Sequence, residues 1–297
     1  MNRYIIAKIH NGNSLAEVYL QGKSEVSFPS VPIFFNCDYD NEEEFLREGN
    51  AKGQGELFFE CGKSCEGKII LVIHEGKVHV LRPTGEVLFK KASVRKDIDG
   101  YVKILPVEIL RVAAISDVPA ILASMGANRY YSSGSFREIT DAGNIRAIKS
   151  VLGQDIEIPN KPGIANAIEC LNSVQFETLI AKILEEANLF VPAYRGGTMA
   201  GADLFAYNKT KADISIGELL IPAGERKSIQ VKLKAHTNRP PGGVDFIVAC
   251  DAKESSNSFG NEWLKSALQV SQSTGLWLKT SLEWLPAGFL EATIDRL

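Results

Sequence analysis

The chain has 297 residues, 45% hydrophobic and 23% charged, with a formal net charge of −3; this describes a globular protein long enough for two cores. Lys and Arg number 20 against 21 Asp and Glu up to Ala165, and 13 against 15 beyond it, which excludes a uniformly basic nucleic-acid binder and confines any DNA contact to a local patch. No apolar run approaches the roughly 18 residues of a membrane span, and Met1-Asn2-Arg3-Tyr4-Ile5-Ile6 lacks a signal peptide's apolar region, so a cytoplasmic protein without a membrane partner is expected.

Residues 1 to about 115 read as β-rich. Short apolar or alternating runs occur at Tyr4 to Ala7, Ala16 to Leu20, Glu56 to Phe59, Ile69 to Ile73, Val78 to Leu81 and Val102 to Leu105, with turn signals at Asn11-Gly12-Asn13, Glu75-Gly76-Lys77 and Pro83-Thr84-Gly85 between several of them. A small barrel or sandwich is expected. The five cysteines, Cys37, Cys61, Cys65, Cys170 and Cys250, are an odd number that suits reduced thiols better than a disulfide framework. Cys37, Cys61 and Cys65 lie near His74 and His79 in sequence, which leaves a zinc site open, although the spacing is not a finger pattern.

From Ser116-Asp117-Val118-Pro119 the period becomes helical, with Ile121, Leu122 and Met125 on one face, and a second short helix is expected from Asp141 to Leu152. Between them, Asn128 to Arg137 is an arginine-aromatic loop in which Arg129, Tyr130 and Arg137 could stack on a base or hold a phosphate, or simply pack on the barrel. Gly153 to Gly163, with Pro159 and Pro162, reads as a linker. The expected division is therefore a β-rich recognition or regulatory domain with a helical extension over 1–155, and a second domain over 165–297.

The second domain opens with an amphipathic helix. Asn172 and Gln175 have capping-box spacing, and Phe176, Leu179, Ile180, Ile183, Leu184 and Ala187 form one stripe with Glu177 at its border. Strand-like segments follow at Phe190 to Tyr194, Ala202 to Tyr207, Ser228 to Leu233 and Val244 to Cys250, then a helix from about Glu262 to Ser271. A mixed α/β core is expected. Asp203 ends one strand, and Gln230 and Lys232 share a face of the next.

The order helix Glu177, then Gly201-Ala202-Asp203, then Gln230-Val231-Lys232 resembles the PD-(D/E)xK nuclease superfamily, in its Mrr-like restriction endonuclease branch. The resemblance covers about Asn172 to Ala252. It implies a restriction-endonuclease-like mixed sheet flanked by helices, and a metal-dependent endonuclease that hydrolyses DNA phosphodiester bonds with Mg²⁺ or Mn²⁺ in restriction or anti-phage defence. It further implies a homodimer and defence-system partner proteins. Asp203 would be the central metal ligand, joined by the Gln230 amide where the family more often has glutamate, the Val231 carbonyl and Glu177. Lys232 would orient water and stabilise developing charge. Lys234, His236 and Arg239, with Arg226, Lys227 and Lys232, form a candidate phosphate patch.

Three other readings stand beside this one. A structure-specific or RNA-cutting nuclease uses the same residues, and a non-cleaving nucleic-acid-binding regulator with a nuclease-like fold does not need them. Asp251-Ala252-Lys253 with Asp245 also spells an acid-x-lysine pattern, but the two acids are on one short strand and cannot be a pair on adjacent strands.

Overall fold

The computed structural model describes residues 2–48, 53–125, 135–158, 163–192, 201–234 and 242–293. The chain divides into two compact units: Met1–Val118, Met125–Asp141 and Ile148–Gln154 form the first, and Pro119–Ser124, Ala142–Ala147 and Asp155–Leu297 the second.

The first unit contains β1 (Arg3–Ala7), α1 (Ala16–Leu20), β2 (Ser30–Ile33), α2 (Glu42–Glu48), α3 (Gln54–Lys63), β3 (Lys68–His74), β4 (Lys77–Pro83), β5 (Leu88–Lys91), β6 (Tyr101–Ala114) and β7 (Phe136–Ile139). Its seven strands form one sheet in the order β2-β6-β4-β3-β1-β7, with β5 also on β6. β1 and β3 are parallel, and the other pairings are antiparallel. A curled mixed sheet with helices thus stands where a barrel or sandwich was expected. Two segments expected as strands, Ala16 to Leu20 and Glu56 to Phe59, are helical in α1 and α3. Short apolar runs fit either period; in α3 Leu57, Phe58 and Cys61 all enter the core with Tyr19 of α1.

Lys103 on β6 is fully buried. Its Nζ donates to the carbonyls of Tyr101 (3.2 Å), Phe35 (3.0 Å) and Asn36 (2.7 Å) and lies 4.8 Å from the centre of the Phe45 ring. At the other side of the sheet Arg3 forks onto Glu138 at 2.8 Å and also reaches Glu60, which Lys68 contacts at 2.6 Å. This network ties α3 and β7 to the parallel pair β1 and β3.

The helices α4 (Ala120–Met125) and α5 (Ala142–Val151) follow the expected period, yet Pro119–Ser124 and Ala142–Ala147 cluster with the second unit rather than the first. Asn172 supplies the reason. Its Oδ1 caps the following helix by accepting from the Gln175 amide (2.9 Å), while Nδ2 donates to Ser124 Oγ (2.6 Å), Asn144 Oδ1 (3.1 Å) and the Ile121 carbonyl (3.3 Å). Gly143 allows the approach, because a Cβ there would meet the Leu171 and Cys170 carbonyls at 2.7 and 2.8 Å.

The second unit continues with α6 (Ile164–Ile168), α7 (Ser173–Glu186), β8 (Leu204–Tyr207), β9 (Ile214–Ile216), β10 (Leu219–Ile221), β11 (Arg226–Lys232), β12 (Phe246–Ala249), β13 (Ser258–Phe259), α8 (Asn261–Val270), α9 (Gln272–Ser281) and α10 (Ala287–Thr293). The four-stranded sheet runs β13-β12-β11-β8, with β8 antiparallel to β11 and the other two pairings parallel. The helix α7 packs on β11 and β8, burying Phe176, Leu179, Ile180 and Ile183 against Leu204, Ile229 and Val231. The hairpin of β9 and β10 is pinned by Trp263 Nε1, which donates to the Ile216 carbonyl at 2.7 Å. Among the described residues no helix is long and apolar enough to cross a membrane.

Candidate active site

Asp203 immediately precedes Leu204, the first residue of β8, where the backbone ladder with β11 stops. Its amide donates to the Ile229 carbonyl at 2.9 Å, and its Oδ2 accepts from the Val231 amide at 2.8 Å, standing where a strand carbonyl would otherwise be. The same oxygen lies 3.0 Å from Lys232 Nζ. The pair is half-buried, with side-chain exposures of 24% for Asp203 and 40% for Lys232, so the ammonium remains open to solvent while the carboxylate is held. Both bonds fall on Oδ2; Oδ1 accepts none among the described residues.

Alternation along β11 places Arg226, Ser228, Gln230 and Lys232 on one face, opposite the face that sends Ile229 and Val231 into the core. Gln230 is therefore the neighbour of Lys232 along the site face, and it is half-buried. The backbone of Val231 meets Asp203 at the strand edge. Glu177 is half-buried on α7, the helix beneath β11 and β8. Among the described residues no three His, Cys, Asp or Glu side chains gather closely enough to hold a metal ion. The geometry thus unites Asp203, Val231 and Lys232 by direct bonds and Gln230 by strand position, and it does not add Glu177 to a three-member acidic cluster.

Of the basic patch expected on and after β11, two members pair with acids. Lys227 pairs with Glu225 (2.8 Å) and lies 3.8 Å from Asp245. Lys232 pairs with Asp203, whereas Lys234 is exposed at the end of the described segment. His236 and Arg239 lie outside the described residues, as do Arg129 and Tyr130. Arg137 belongs to the edge strand β7, opposite Ile6 of β1, rather than to a loop.

Asp245, the acid set aside in the sequence reading, has a structural task. Its Oδ2 accepts from the Ser228 hydroxyl (2.6 Å) and amide (2.8 Å). Burial alone would raise its pKa, but these bonds and the nearby Lys227 and Arg226 charges hold the carboxyl below its usual value. It locks the start of the parallel β11 and β12 pairing. All five cysteines are free. The Cys37 thiol donates to the Phe34 carbonyl and Cys65 to the Gly62 carbonyl, so neither is arranged with Cys61 as a metal ligand set among the described residues.

The reading from sequence did not include a row of aromatic and cationic side chains on the same sheet. Phe190 bridges to Tyr207, Tyr207 stands opposite Arg226, and Lys209 Nζ lies 3.9 Å from the centre of the Phe190 ring. The alternation of Phe205, Tyr207 and Lys209 was the available signal, but the register that adds Phe190 and Arg226 is a tertiary property.

No protein-family model, curated protein or solved structure matches this chain.

Proposed function

We propose that the second unit is a metal-dependent nuclease of the PD-(D/E)xK type, hydrolysing DNA phosphodiester bonds. One observation carries the reading: a carboxylate at the end of one strand, a lysine 3.0 Å away on the neighbouring strand, and an amide side chain one position nearer along the same face of β11. The oxygen donors Asp203 Oδ1, the Gln230 side-chain carbonyl, the Val231 carbonyl and Glu177 suit a hard cation such as Mg²⁺ or Mn²⁺, which binds through one or two carboxylates with waters and phosphate.

The cation, when bound, supplies charge neutralisation for the phosphate and acidifies a bound water. Asp203 fixes the position of that charge because two hydrogen bonds hold its other oxygen. Lys232, tethered to the same carboxylate, presents its ammonium to solvent and steadies negative charge developing on the phosphate. Gln230 brings no negative charge, and in this reading the second carboxylate is Glu177, on the helix packed against the core face of β11. The fold of this unit is that of a restriction-endonuclease-like domain in this reading, and the first unit selects the target. The resemblance extends the proposal to a cytoplasmic homodimer acting in restriction or anti-phage defence with partner proteins.

The second reading is a nucleic-acid-binding regulator that does not cleave. It is favoured by Gln230, an uncharged amide where the family more often has glutamate. Incubation of purified protein with methylated and unmethylated DNA and with RNA, with and without Mg²⁺ or Mn²⁺, separates the two. Metal-dependent cleavage lost in Asp203→Ala and Lys232→Ala supports the nuclease; binding without cleavage under every condition supports the regulator.

A further inference from the structure

The face of β11 that carries Gln230 and Lys232 continues, in the opposite direction, into an aromatic and cationic surface. Three residues from adjacent chain segments lie in one row across it: Phe190, Tyr207 and Arg226. The backbones of Phe190 and Tyr207 exchange hydrogen bonds of 2.9 and 3.0 Å, which puts both rings on one face, 6.2 Å apart and edge to face. Arg226, opposite Tyr207 in register, holds its guanidinium 5.8 Å from the Tyr207 ring and 5.7 Å from the Phe205 ring. Lys209 covers Phe190. Phe190 is 48% exposed and lies between the Tyr207 ring and the Lys209 ammonium.

The charges on this surface are arranged in a way that points to an anion. Asp245, on the same face, accepts from Ser228 and stays a carboxylate near Lys227 and Arg226, and Glu225 pairs with Lys227. Lys209 and Arg226, by contrast, rest on rings and form no ion pair among the described residues. Cations lying on exposed aromatic faces provide both components that single strands require, a stacking platform and a phosphate contact. Duplex bases are stacked on one another and do not offer a free π-face, so an unpaired base is the better fit to the rings.

We propose that Phe190, Tyr207, Lys209 and Arg226 form a binding track for single-stranded nucleic acid, with unpaired bases stacked on the two rings and phosphates at the two cations. The track lies on the face of the proposed cleavage site: Arg226 is four residues from Gln230 along β11, about 13 Å at the rise of a strand. It deepens the nuclease reading and rests on it only for the consequence, that the strand held here leads to Asp203 and Lys232.

The test uses the full chain in a metal-free chelating buffer, with labelled oligothymidylate and a labelled duplex of equal length followed by fluorescence anisotropy. Wild type should bind the single strand more tightly than the duplex. Phe190→Ala and Tyr207→Ala should each raise the Kd for oligothymidylate roughly ten-fold, Lys209→Gln should weaken it with a shallower salt dependence, and Phe190→Trp should retain binding. Circular dichroism of each variant checks the fold, and Phe190→Trp and Lys209→Gln keep the test decisive should an alanine variant unfold. Absence of single-strand binding, equal loss for duplex and single strand, or undiminished binding in the folded ring variants would overturn the track. Cleavage by wild type with undiminished binding in those variants defeats the track alone, whereas oligothymidylate binding on the rings without any metal-dependent cleavage defeats the nuclease alone.

Discussion

Lys232 Nζ and the Val231 amide converge on one oxygen of Asp203, at 3.0 and 2.8 Å. The two bonds differ in what they do. The amide belongs to a buried residue and depends on Asp203 for its acceptor, whereas the ammonium is partly solvated and keeps water as a substitute. Structural and chemical contributions at this site are therefore separable by mutation.

Asp203→Ala should destabilise the second unit by about 1–3 kcal/mol, because it leaves a buried amide unsatisfied. Lys232→Ala should cost no more than about 1 kcal/mol, the worth of a solvated ion pair, while abolishing cleavage to the same extent as Asp203→Ala. Denaturant unfolding beside a metal-dependent nicking assay reads both quantities. Equal stability losses, or wild-type turnover in Lys232→Ala, would remove the distinction drawn here.

Asn172 supports a second prediction. Its side chain caps α7 through one atom and holds Ile121, Ser124 and Asn144 through another. Asn172→Ala should lose about 1 kcal/mol from the cap and the hydrogen bonds its amide gives to Ser124, Asn144 and the Ile121 carbonyl, which keeps the Ser124 hydroxyl as a donor, for a total of roughly 2 kcal/mol. Asn172→Asp keeps the cap oxygen but points an anion at the Asn144 and Ile121 oxygens, so it should not restore stability. Thermal or denaturant midpoints of the two variants decide the point.

Much of this second unit was legible because its chemistry is local. The capped stripe of α7 and the strand period of β8 and β11 follow from residues a few positions apart, whereas the approach of Asp203 to Val231 and Lys232 depends on the pairing of β8 with β11. The first unit was harder. The runs in α1 and α3 are too short to separate helical from strand period, and β2 contains Pro32, which strand rules confine to edges such as the one it occupies. The β9 and β10 strands have three residues each, below the length at which alternation is a signal. The pairing of β1 with β3 joins residues such as Ile5 and Ile70, which local patterns do not specify. The aromatic row shows the same limit: each residue was visible, and only the register brought Phe190, Tyr207 and Arg226 together.

Lys103 should give the first unit a pH-dependent stability. Burial lowers its pKa to about 8, against the opposing influence of Cys37 and Asp38, while the unfolded value is about 10.4. Between these values the unfolded chain holds more protons than the native one, so stability from this group rises with pH across about 8 to 10.4 and is flat below. The slope contributed by one proton is at most about 1.4 kcal/mol per pH unit. Hydrogen exchange at β2 and β6 amides, compared between wild type and Lys103→Met across that range and corrected for intrinsic exchange, should show the slope in wild type only. A slope of equal size in the variant would assign it to other groups.

The thiols make a further prediction. Burial pushes Cys61 and Cys250 up to about 12 and Cys170 up to about 11, so all three are protonated and enclosed at neutral pH. They should react slowly with a thiol reagent in the folded protein, Cys37 and Cys65 should react sooner, and denaturation should release all five. A chelator should leave the unfolding midpoint of the first unit unchanged. A fall in that midpoint, with stoichiometric zinc released, would restore the metal reading of Cys37, Cys61 and Cys65.

The last prediction concerns metal demand at the proposed nuclease site. Asp203 is the carboxylate fixed on the strand pair, and Gln230 contributes an uncharged amide, so the attraction for a divalent cation depends strongly on any second acid. Glu177→Gln removes that acid and should raise the Mg²⁺ or Mn²⁺ concentration for half-maximal cleavage on the order of ten-fold, with a smaller change in the rate at saturating metal. Gln230→Glu adds a charge on the face that already carries Lys232, and should shift the requirement the opposite way by a similar factor. The double variant should return close to wild type, since it moves one negative charge without changing their number. Metal titrations of the four proteins test the whole pattern: a Glu177→Gln titration that overlays wild type would leave Glu177 a residue of α7 with no part in the site, and equal curves for Gln230→Glu and Gln230→Ala would remove Gln230 from the ligand set.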